Sequence, residues 1–551
     1  MKIHYLTLFA FSFIVLNACS DKAKGLKEER SQIIDRFSAT DLSGVVQTKS
    51  GKVGGYVENG LFIYKGIPYA KAVRFQAPQD ADSWEGVRSS RAYGPTCPQA
   101  RRMGWYSDEQ AFAFDWNDGY ADEDCLRVNL WTPGVDDGKK RPVMVWLHGG
   151  GYAAGSGQEL PSYDGRNLAE KGDVVVVSLN HRLNVLGFLD LSAYGDKYAH
   201  SGNAGLLDLV AGLQWVKNNI ESFGGDPNNV TIFGQSGGGG KVSTLLATPM
   251  AKGLFHKAII QSGSMLRTMD SKYSRRIGSA LISELGLDAS QLDLLQDIPH
   301  EQLLLAGEKA IATIRKEAAN DGISSFIFGW APTVDGNILP AQPFDPLAPE
   351  QSRDIPILIG TTLHEFTGST YVPSFRKATM EQAVAYLKTR YGERTDDFLK
   401  AFAKAYPKYT PTDLIDVDFI FRPSAVAQAD LKASQEGAPV YMYLFSWESP
   451  VLDGILRSTH CMEIPFVFNN VNRHISMTGG GEKAMELAEK MSSSWVNFAW
   501  TGNPNADGLP VWQPYTKQEG ATLVFDETCE IRKHHDKELL DLVTLFPIRG
   551  F

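Results

Sequence analysis

The chain contains 551 residues, of which 43% are hydrophobic and 21% are charged, and its formal net charge at pH 7 is -10. These proportions are ordinary for a globular protein with a sizeable hydrophobic core. The negative charge argues against nucleic acid as a partner, and no internal repeat or long low-complexity tract is visible.

The first segment of the chain has the pattern of an export signal. Residues 1–4 are weakly basic, and residues 5–16 form an apolar segment too short to be a permanent membrane anchor. Leu16-Asn17-Ala18-Cys19 resembles the lipobox of bacterial lipoproteins, although Asn17 is unusual at its position. We predict a signal peptide over 1–18, a lipid on Cys19 and a polar tether over 19–40.

This reading predicts an exported bacterial protein, periplasmic or tethered to the outer membrane, that meets the membrane only through its lipid. The alternative is cleavage after Ala18 and plain secretion with an unmodified cysteine. If Cys19 carries lipid, the four remaining cysteines allow three pairings, and oxidising conditions outside the cytoplasm favour pairing. A bond between Cys97 and Cys125 would contribute ~3 kcal/mol in the chain-entropy model. Cys461 and Cys529 either pair or remain buried thiols.

The elements that follow change in character along the chain. Residues 45–64 alternate and contain Gly54-Gly55 and Asn59-Gly60, which predicts antiparallel hairpins. From Pro142 onward, short apolar runs alternate with helical patterns such as 206–223. The predicted strands are 143–147, 174–179, 230–233, 258–260, 355–359 and 440–445. This alternation predicts an α/β fold with a mainly parallel central sheet flanked by helices, and with helical insertions at 274–323 and 380–406.

A nucleophile motif directly follows one of these strands. Gly234-Gln235-Ser236-Gly237-Gly238 lies between the apolar run 230–233 and the helix expected at 242–246. A G-x-S-x-G between strand and helix is the nucleophile elbow of the α/β-hydrolase fold, in which a strained turn exposes the serine hydroxyl. The helix dipole there favours a developing negative charge. The alternative is a Gly/Ser loop without chemistry.

A second glycine motif follows the strand 143–147. In His148-Gly149-Gly150-Gly151, successive glycines let main-chain N–H groups face inward with no Cβ in the way. We predict that Gly150, Gly151 and Gly237 donate the hydrogen bonds of an oxyanion hole. A plain Gly-rich turn is the alternative, but two such motifs, each after its own strand, argue against it.

The acid and the base should follow the serine in chain order. Glu365 lies a few residues beyond the strand 355–359, whereas Asp354 lies at the wrong end of it. A solvated surface carboxylate is the alternative for Glu365.

Of the later histidines, His460 precedes an apolar run and is the best base candidate. The others are His474, in a polar turn region, and His534 and His535, which lie among charged residues and should be solvated. Because these residues extend from His148 to His460 and must meet in one site, we predict a single catalytic domain over 41–551.

The order of motifs resembles the type-B carboxylesterase family, which also contains the cholinesterases and the bacterial para-nitrobenzyl esterases. The resemblance runs from about Val45 onward and includes both glycine motifs. The other segments that carry it are Tyr64-Lys65-Gly66-Ile67-Pro68-Tyr69-Ala70, Glu123-Asp124-Cys125-Leu126 with Asn129 and Trp131, Asn180-His181-Arg182-Leu183 with Leu186-Gly187-Phe188, Gly202-Asn203-Ala204-Gly205-Leu206-Leu207-Asp208, Phe223-Gly224-Gly225-Asp226-Pro227, Gln261-Ser262-Gly263, and His460 with Glu463-Ile464-Pro465-Phe466.

The resemblance implies the α/β-hydrolase fold, the acid role for Glu365, the base role for His460 and a disulfide between Cys97 and Cys125. The chain departs from the family at Gln235, where Glu is usual, and at Gly237, where Ala is usual. In cholinesterases the loop between the two cysteines carries a Trp that stacks on choline. Trp116 resembles that residue, one position out of register, and packing of the loop is an equal alternative for it.

Together these features predict a serine carboxylic-ester hydrolase that forms an acyl-enzyme on Ser236 and needs no metal or organic cofactor. Its expected partner is a small ester, neutral and short-to-medium or aryl, because Gln235 lacks the charge that would attract a cationic alcohol. An amidase or lactonase of the same mechanism is the alternative from the same class. A non-catalytic binding protein, as in the neuroligins, is disfavoured because every triad and oxyanion position is filled.

Overall fold

The structure is a computed structural model that describes residues 36–100, 107–117, 119–322 and 328–546. The predicted signal peptide, the lipidation site Cys19 and most of the tether therefore lie outside the described residues. Among the residues that are described, no helix combines the length and the apolar character needed to cross a membrane.

The strands of the described residues number nineteen. They are β1 (Phe37–Ser38), β2 (Val45–Gln47), β3 (Lys52–Gly54), β4 (Tyr56–Glu58), β5 (Leu61–Pro68), β6 (Ala70–Lys71), β7 (Gln79–Asp80), β8 (Val87–Ser89), β9 (Arg127–Thr132), β10 (Arg141–Leu147), β11 (Val175–Leu179), β12 (Gly225–Gln235), β13 (Lys257–Gln261), β14 (Met269–Asp270), β15 (Thr333–Val334), β16 (Ile357–Thr362), β17 (Val440–Phe445), β18 (Ala521–Phe525) and β19 (Glu530–Lys533).

The α-helices of the same residues are α1 (Asp108–Phe114), α2 (Arg166–Gly172), α3 (Asn184–Phe188), α4 (Ala204–Asn219), α5 (Gly237–Leu245), α6 (Ser271–Glu284), α7 (His300–Asn320), α8 (Gly368–Tyr371), α9 (Met380–Tyr391), α10 (Thr395–Ala405), α11 (Asp413–Asp416), α12 (Arg422–Ala433), α13 (Ile464–Val467), α14 (Ile475–Thr478), α15 (Glu482–Thr501) and α16 (Lys537–Val543).

One large sheet organises these elements. Its 12 strands follow the order β1-β4-β5-β9-β11-β10-β12-β13-β16-β17-β18-β19. Strands from β11 to β18 in this order pair in parallel, and the flanking strands pair antiparallel. This confirms the predicted α/β fold with a mainly parallel sheet flanked by helices.

The strand order reverses between β10 and β12. From β10 the chain moves to β11 on one side, and it returns to β12 on the other. Leu147, the last residue of β10, pairs with Gly234 of β12, so the two strands end side by side. In open parallel sheets such a switch point leaves a crevice at the carboxyl ends of the strands. Both glycine motifs predicted from the sequence begin at this crevice.

The central strands are buried on both faces, as continuous apolar runs require. Along β10, Val143, Val145 and Leu147 belong to one hydrophobic cluster, whereas Met144 and Trp146 belong to the cluster on the opposite face. The two-residue period of a strand produces this division. It fixes the register of β10 and therefore the place where the glycine loop begins.

The two predicted helical insertions are also present. Helices α6 and α7 follow β13, and α9, α10 and α11 follow β16, so both insertions leave the sheet at its carboxyl edge. The second group packs with the C-terminal helix α16 around a separate apolar cluster that includes Leu387, Phe402 and Leu539. Helix α4 ends at Asn219, slightly before the predicted end, and a 3-10 turn over Ile220–Phe223 completes the segment.

Candidate active site

The predicted nucleophile lies on a sharp turn between β12 and α5. Ser236 has φ 57° and ψ -126°, a conformation that a non-glycine residue adopts only under strain. The turn is possible because its neighbours are glycines. A Cβ on Gly238 would lie 2.0 Å from the carbonyl oxygen of Leu147, and one on Gly234 would lie 2.6 Å from it. The strand–turn–helix geometry of a nucleophile elbow is therefore present.

The glycine loop after β10 packs directly against this turn. Gly150 and Gly151 both have positive φ, 77° and 62°. A Cβ on Gly149 would lie 3.5 Å from the Cβ of Ser236, and one on Gly237 would lie 2.2 Å from the carbonyl oxygen of Gly151. The structure thus brings together the three glycines predicted to bind the oxyanion. The space that an alanine methyl group would need at Gly237 is filled by the loop.

Glu365 and His460 are held together beside the elbow. His460 Nδ1 lies 2.5 Å from Glu365 Oε2, and the amide of Thr362 donates to Oε1 over 3.0 Å. The main chains also join, because the N–H of His460 donates to the carbonyl oxygen of Glu365 over 2.7 Å. Glu365 is 1% exposed and His460 3%, so Glu365 is not the solvated carboxylate considered as its alternative.

This contact selects the tautomer of His460. A carboxylate only accepts hydrogen bonds, so Nδ1 carries the proton and Nε2 is left as the basic nitrogen. Aromatic rings fix the plane of the imidazole: Phe366 and Phe421 stack on it at centroid distances of 5.0 and 5.2 Å. The arrangement can accept a proton at Nε2 while the carboxylate stabilises the resulting charge.

The side chain of Gln235 is fully buried and contacts the ring of His460, the predicted base. Its amide nitrogen lies 3.2 Å from Nδ1 and 3.4 Å from Nε2 of His460, so the amide contacts the ring between its two nitrogens. Its oxygen accepts a hydrogen bond from the Cys461 thiol over 3.0 Å. The structure places Gln235 against the ring of His460, and its contact with a substrate stays a prediction.

Two buried carboxyl groups near the base were not assigned any role from the sequence. Burial, reinforced by the charge of Glu365, raises the pKa of Asp418 to about 7, and the same two causes raise the pKa of Glu463 to about 7. Asp418 accepts from the amide of Phe366, and Glu463 accepts from the side chain of Gln261 over 3.2 Å. The available sequence signal for Glu463 was its place three residues after His460 and next to an apolar run. No sequence feature pointed to Asp418.

The other histidines considered as bases are engaged elsewhere. His474 is 1% exposed, which corrects its placement in a polar turn region. One ring nitrogen contacts the Ser162 hydroxyl and the other the Ala113 carbonyl, and burial lowers the pKa of His474 to about 4. His534 and His535 are partly buried, which corrects their expected solvation.

The predicted disulfide is not formed in the structure. Cys97 and Cys125 are both buried free thiols, and a hydrogen bond to Cys97, followed by burial, raises the pKa of Cys125. The two side chains are therefore neighbours without an S–S bond. Cys461 is buried and Cys529 is partly buried, and both are free thiols. Trp116 is partly buried and packs against the hydrophobic cluster that contains Trp146 and Cys461.

A cavity of about 300 Å³ is lined by residues of α9, α12 and α16, and none of Ser236, Glu365 and His460 lines it. Its lining is mostly apolar and includes Phe419 and Ile420, which directly precede Phe421. Leu266, Ala427, Val543 and Phe546 also line it.

One group of side chains in the described residues has ligand atoms close enough to hold a metal ion, namely His364, Asp413 and Glu448. The guanidinium of Arg457 pairs with Asp413 over 3.2 Å and with Glu448 over 2.8 Å. Its positive charge already satisfies these carboxylates, so the group is explained as an ion-pair network.

Several known proteins are similar to this chain in sequence and in fold. The model of the carboxylesterase family matches residues 42–542. The chain is 38% identical to the para-nitrobenzyl esterase of Bacillus subtilis (strain 168), over 92% of this chain and 99% of that protein. It is 34% identical to the phenmedipham hydrolase of Pseudarthrobacter oxydans, over 89% and 96% of the two chains. The structure also resembles an esterase from anaerobic Clostridium hathewayi that hydrolyses aliphatic aromatic polyesters, with a TM-score of 0.79, 37% identity and coverage of 92% and 98%.

Proposed function

The chain belongs to the carboxylesterase family and hydrolyses carboxylic esters, and we propose that it does so with Ser236 as nucleophile, His460 as base and Glu365 as the acid that orients the base. The observation that carries this proposal is the contact of 2.5 Å between His460 Nδ1 and Glu365 Oε2, next to the strained turn of Ser236. A serine hydroxyl becomes a useful nucleophile only when such a base removes its proton.

In the first step, His460 Nε2 takes the proton of Ser236 Oγ as the oxygen attacks the ester carbonyl. The main-chain N–H groups of Gly150, Gly151 and Gly237 bind the oxygen on which negative charge develops. The protonated His460 is stabilised by Glu365 and then gives its proton to the departing alcohol, which leaves an acyl group on Ser236. Water, activated by the same base, then attacks the acyl group and releases the carboxylic acid.

Labelling with a fluorophosphonate tests the nucleophile directly. The reagent should modify Ser236 in the wild-type enzyme, identified by peptide mass spectrometry, and pretreatment with an ester substrate should slow the labelling. Modification of any serine other than Ser236, with loss of activity, would contradict the assignment.

For the substrate, we propose neutral esters with a short-to-medium or aryl acyl or alcohol group. The uncharged Gln235, which contacts the ring of His460, supports this preference. A panel of para-nitrophenyl esters of graded acyl length tests it, with kcat/KM as the measurement. A matched anilide and a lactone in the same panel test the amidase and lactonase alternatives.

For its location, we propose export and attachment to a bacterial membrane through a lipid on Cys19, ahead of a single catalytic domain over 41–551. Support comes from the sequence pattern of residues 1–19 alone. Cys19→Ala should move the enzyme from the membrane fraction to the soluble fraction without a change in specific activity. An unlipidated N-terminus on the native protein, found by mass spectrometry, would exclude the lipid.

In the same compartment we propose that Cys97 and Cys125 form a disulfide. Their burial side by side, with a hydrogen bond between them, supports this pairing once an oxidant is present. The protein is purified from its natural compartment and unfolded, and titration of its free thiols with and without reductant measures the pairing. An oxidised protein that still shows both thiols would contradict the pairing.

A further inference from the structure

Lys241 is a buried lysine that the ester mechanism above does not use. It lies on α5, the helix that begins directly after Ser236, and none of its surface is exposed. Its Nζ donates to the carbonyl oxygen of His148 over 2.8 Å and lies 3.4 Å from the carbonyl oxygen of Gly149. Both carbonyl groups belong to the glycine loop that the oxyanion would contact.

Placing a lysine at this buried position costs free energy. Burial removes the hydration of the ammonium group, and it lowers the pKa of Lys241 to about 7. The positive end of the α5 dipole adds a further penalty, because helical side chains point back toward the N-terminus of their helix. A residue kept in so unfavourable a place needs a function that a shorter or apolar side chain would not supply.

The chemistry of the peptide bond suggests that function. The carbonyl of Gly149 and the N–H of Gly150 belong to one peptide group, so a donor on the oxygen draws electron density from the nitrogen. The Gly149 oxygen is approached from two sides, by Lys241 Nζ and by His148 Nδ1 at 2.9 Å. Since a carbonyl only accepts, His148 Nδ1 carries its proton here.

We propose that Lys241 is a positioning residue that holds the glycine loop and polarises the Gly149–Gly150 peptide, so that the Gly150 N–H binds the oxyanion more tightly. The inference rests on the proposed function, in which Ser236 forms a tetrahedral intermediate beside this loop. The ammonium also adds a positive charge on the side of the loop away from the substrate. Lys241 itself touches neither substrate nor Ser236 in this role.

The groups that face Lys241 decide how its charge depends on pH. They are His148, His181 and the ring of Tyr152, which lies 5.9 Å from Nζ, together with the buried carboxylate of Glu159. Burial, followed by the charge of Lys241, holds the pKa of both histidines well below its usual value, so both rings are neutral. Glu159 raises the pKa of Lys241. The ammonium is therefore present below pH 7 and is lost as the pH rises through that value.

The test compares Lys241→Met with a matched variant, Lys432→Met. Lys432 is also buried and also donates to two main-chain carbonyls, those of Ser352 and Arg353, both over 2.7 Å, but it lies on α12 away from the elbow. We expect Lys241→Met to lower kcat/KM for a para-nitrophenyl ester about 10- to 100-fold at pH 6.5, with KM changed less than about threefold, because one oxyanion donor is weakened rather than removed. Lys432→Met should leave both constants within about twofold, since its two hydrogen bonds serve only the fold.

Two further readouts separate polarisation from simple support of the loop. The affinity for an aryl trifluoromethyl ketone, whose adduct with Ser236 carries an oxyanion, should fall by the same factor as kcat/KM. The ratio of wild-type to Lys241→Met activity should decrease as the pH rises through about 7, where the ammonium is lost. Glu159→Gln should move that decrease to lower pH, because it removes the charge that raises the pKa of Lys241. If Lys241→Met does not fold, Glu159→Gln is compared directly with the wild type, and the ratio of wild-type to Glu159→Gln kcat/KM should be largest near pH 7.

Three results would overturn the proposal: a kcat/KM for Lys241→Met within threefold of wild type, a loss confined to KM, or a wild-type-to-variant ratio that does not depend on pH. In each case fluorophosphonate labelling of Ser236 and ester turnover by the wild type would persist, so the proposed function would stand. Failure of the proposed function is a different outcome, recognised when the wild-type enzyme is labelled on another serine.

Discussion

The candidate site has two halves, one built from main-chain groups and the other from side chains. On the nucleophile side, Gly150, Gly151 and Gly237 contribute main-chain groups. A Cβ on Gly150 or Gly237 would lie 2.2 Å from main-chain oxygen, and Gly151 has a φ of 62°. On the base side, Glu365 and His460 contribute side chains, packed by aromatic rings and joined by a direct contact of 2.5 Å.

This difference determines how each half responds to change. A main-chain site depends on the absence of atoms, so adding one methyl group disturbs it, while no side-chain replacement can remove its donors. A side-chain site depends on proton-bearing atoms, so a replacement of equal shape keeps the packing and removes the chemistry.

Ser236 lies between the two halves, and Ser236→Ala should have the largest effect. Loss of the nucleophile should lower kcat for para-nitrophenyl butyrate by about 10⁴- to 10⁶-fold, and His460→Ala should be about as damaging because the two act as a unit. The control is Ser243→Ala on the same helix, whose hydroxyl contacts the Gly239 carbonyl, the Gln428 side chain and the Met265 amide and none of the triad residues. Wild-type activity in a folded Ser236→Ala protein, shown by an unchanged circular dichroism spectrum, would remove Ser236 from the mechanism.

Glu365→Gln probes the side-chain half alone. The amide keeps the shape of the carboxylate but no longer selects the tautomer of His460 or stabilises its charge, so kcat should fall by about 10²- to 10⁴-fold. Asp354→Asn, at the exposed start of the same strand region, is the matched change and should leave kcat within about twofold. A Glu365→Gln enzyme within about tenfold of wild type would assign the acid role to another carboxyl group, with Asp418 the first to examine.

The contrast also explains how far the sequence alone could go. The strands 143–147 and 230–233, with glycine motifs directly after them, follow from local periodicity and turn chemistry, and the structure confirms the parallel sheet that they imply. The closeness of Glu365 and His460 was inferred from chain order and family resemblance, and their contact depends on main-chain pairing across 95 residues. No local pattern encodes such a pairing.

The remaining differences come from tertiary burial. His474 is flanked by polar residues and reads as a turn, but the fold places it against Ser162 and Ala113 from distant segments. Asp418 reads as an ordinary acidic residue, but the insertion after β16 buries it beside Glu365. Lys241 has no distinguishing local pattern, yet it is completely buried beneath the glycine loop. Burial of a charged side chain depends on what packs over it, which periodicity does not report.

Gly237→Ala tests the main-chain half. Alanine is usual at this position in the family and favours a helix by up to about 1 kcal/mol over glycine. In this chain, however, the added Cβ would lie 2.2 Å from the Gly151 carbonyl oxygen, so the loop must move away from the oxyanion. We expect kcat/KM to fall about 10- to 100-fold, by analogy with weakening one or two oxyanion donors.

The matched control for that change is Gly240→Ala on the same helix. There the added Cβ would meet only side-chain ends, Met265 Cε and Tyr152 Oη, each at 3.1 Å. This variant should keep kcat/KM within about threefold and gain stability from helix propensity, up to about 1 kcal/mol. Equal activity of Gly237→Ala and wild type would show that the loop adapts to a methyl group, and the main-chain half would then be less rigid than its packing indicates.

Gln235→Glu should have the smallest effect, and it acts where the two halves meet. The side chain lies at the end of β12, beneath the ring of His460, at 3.2 Å from Nδ1. A carboxylate there would attract a cationic alcohol group, and a charge about 8 Å away at an effective dielectric constant near 20 contributes about 2 kcal/mol. The ratio of kcat/KM for butyrylcholine to that for 3,3-dimethylbutyl butyrate, its neutral isostere, should therefore rise by up to about 30-fold. The wild-type ratio should not exceed one, because Gln235 supplies no charge. A cation–π contact with Trp116, at about 0.5–2 kcal/mol, would raise it above one. If the wild type already prefers butyrylcholine, Trp116 or one of the buried carboxylates contributes the attraction, and Trp116→Ala against Asp418→Asn decides which.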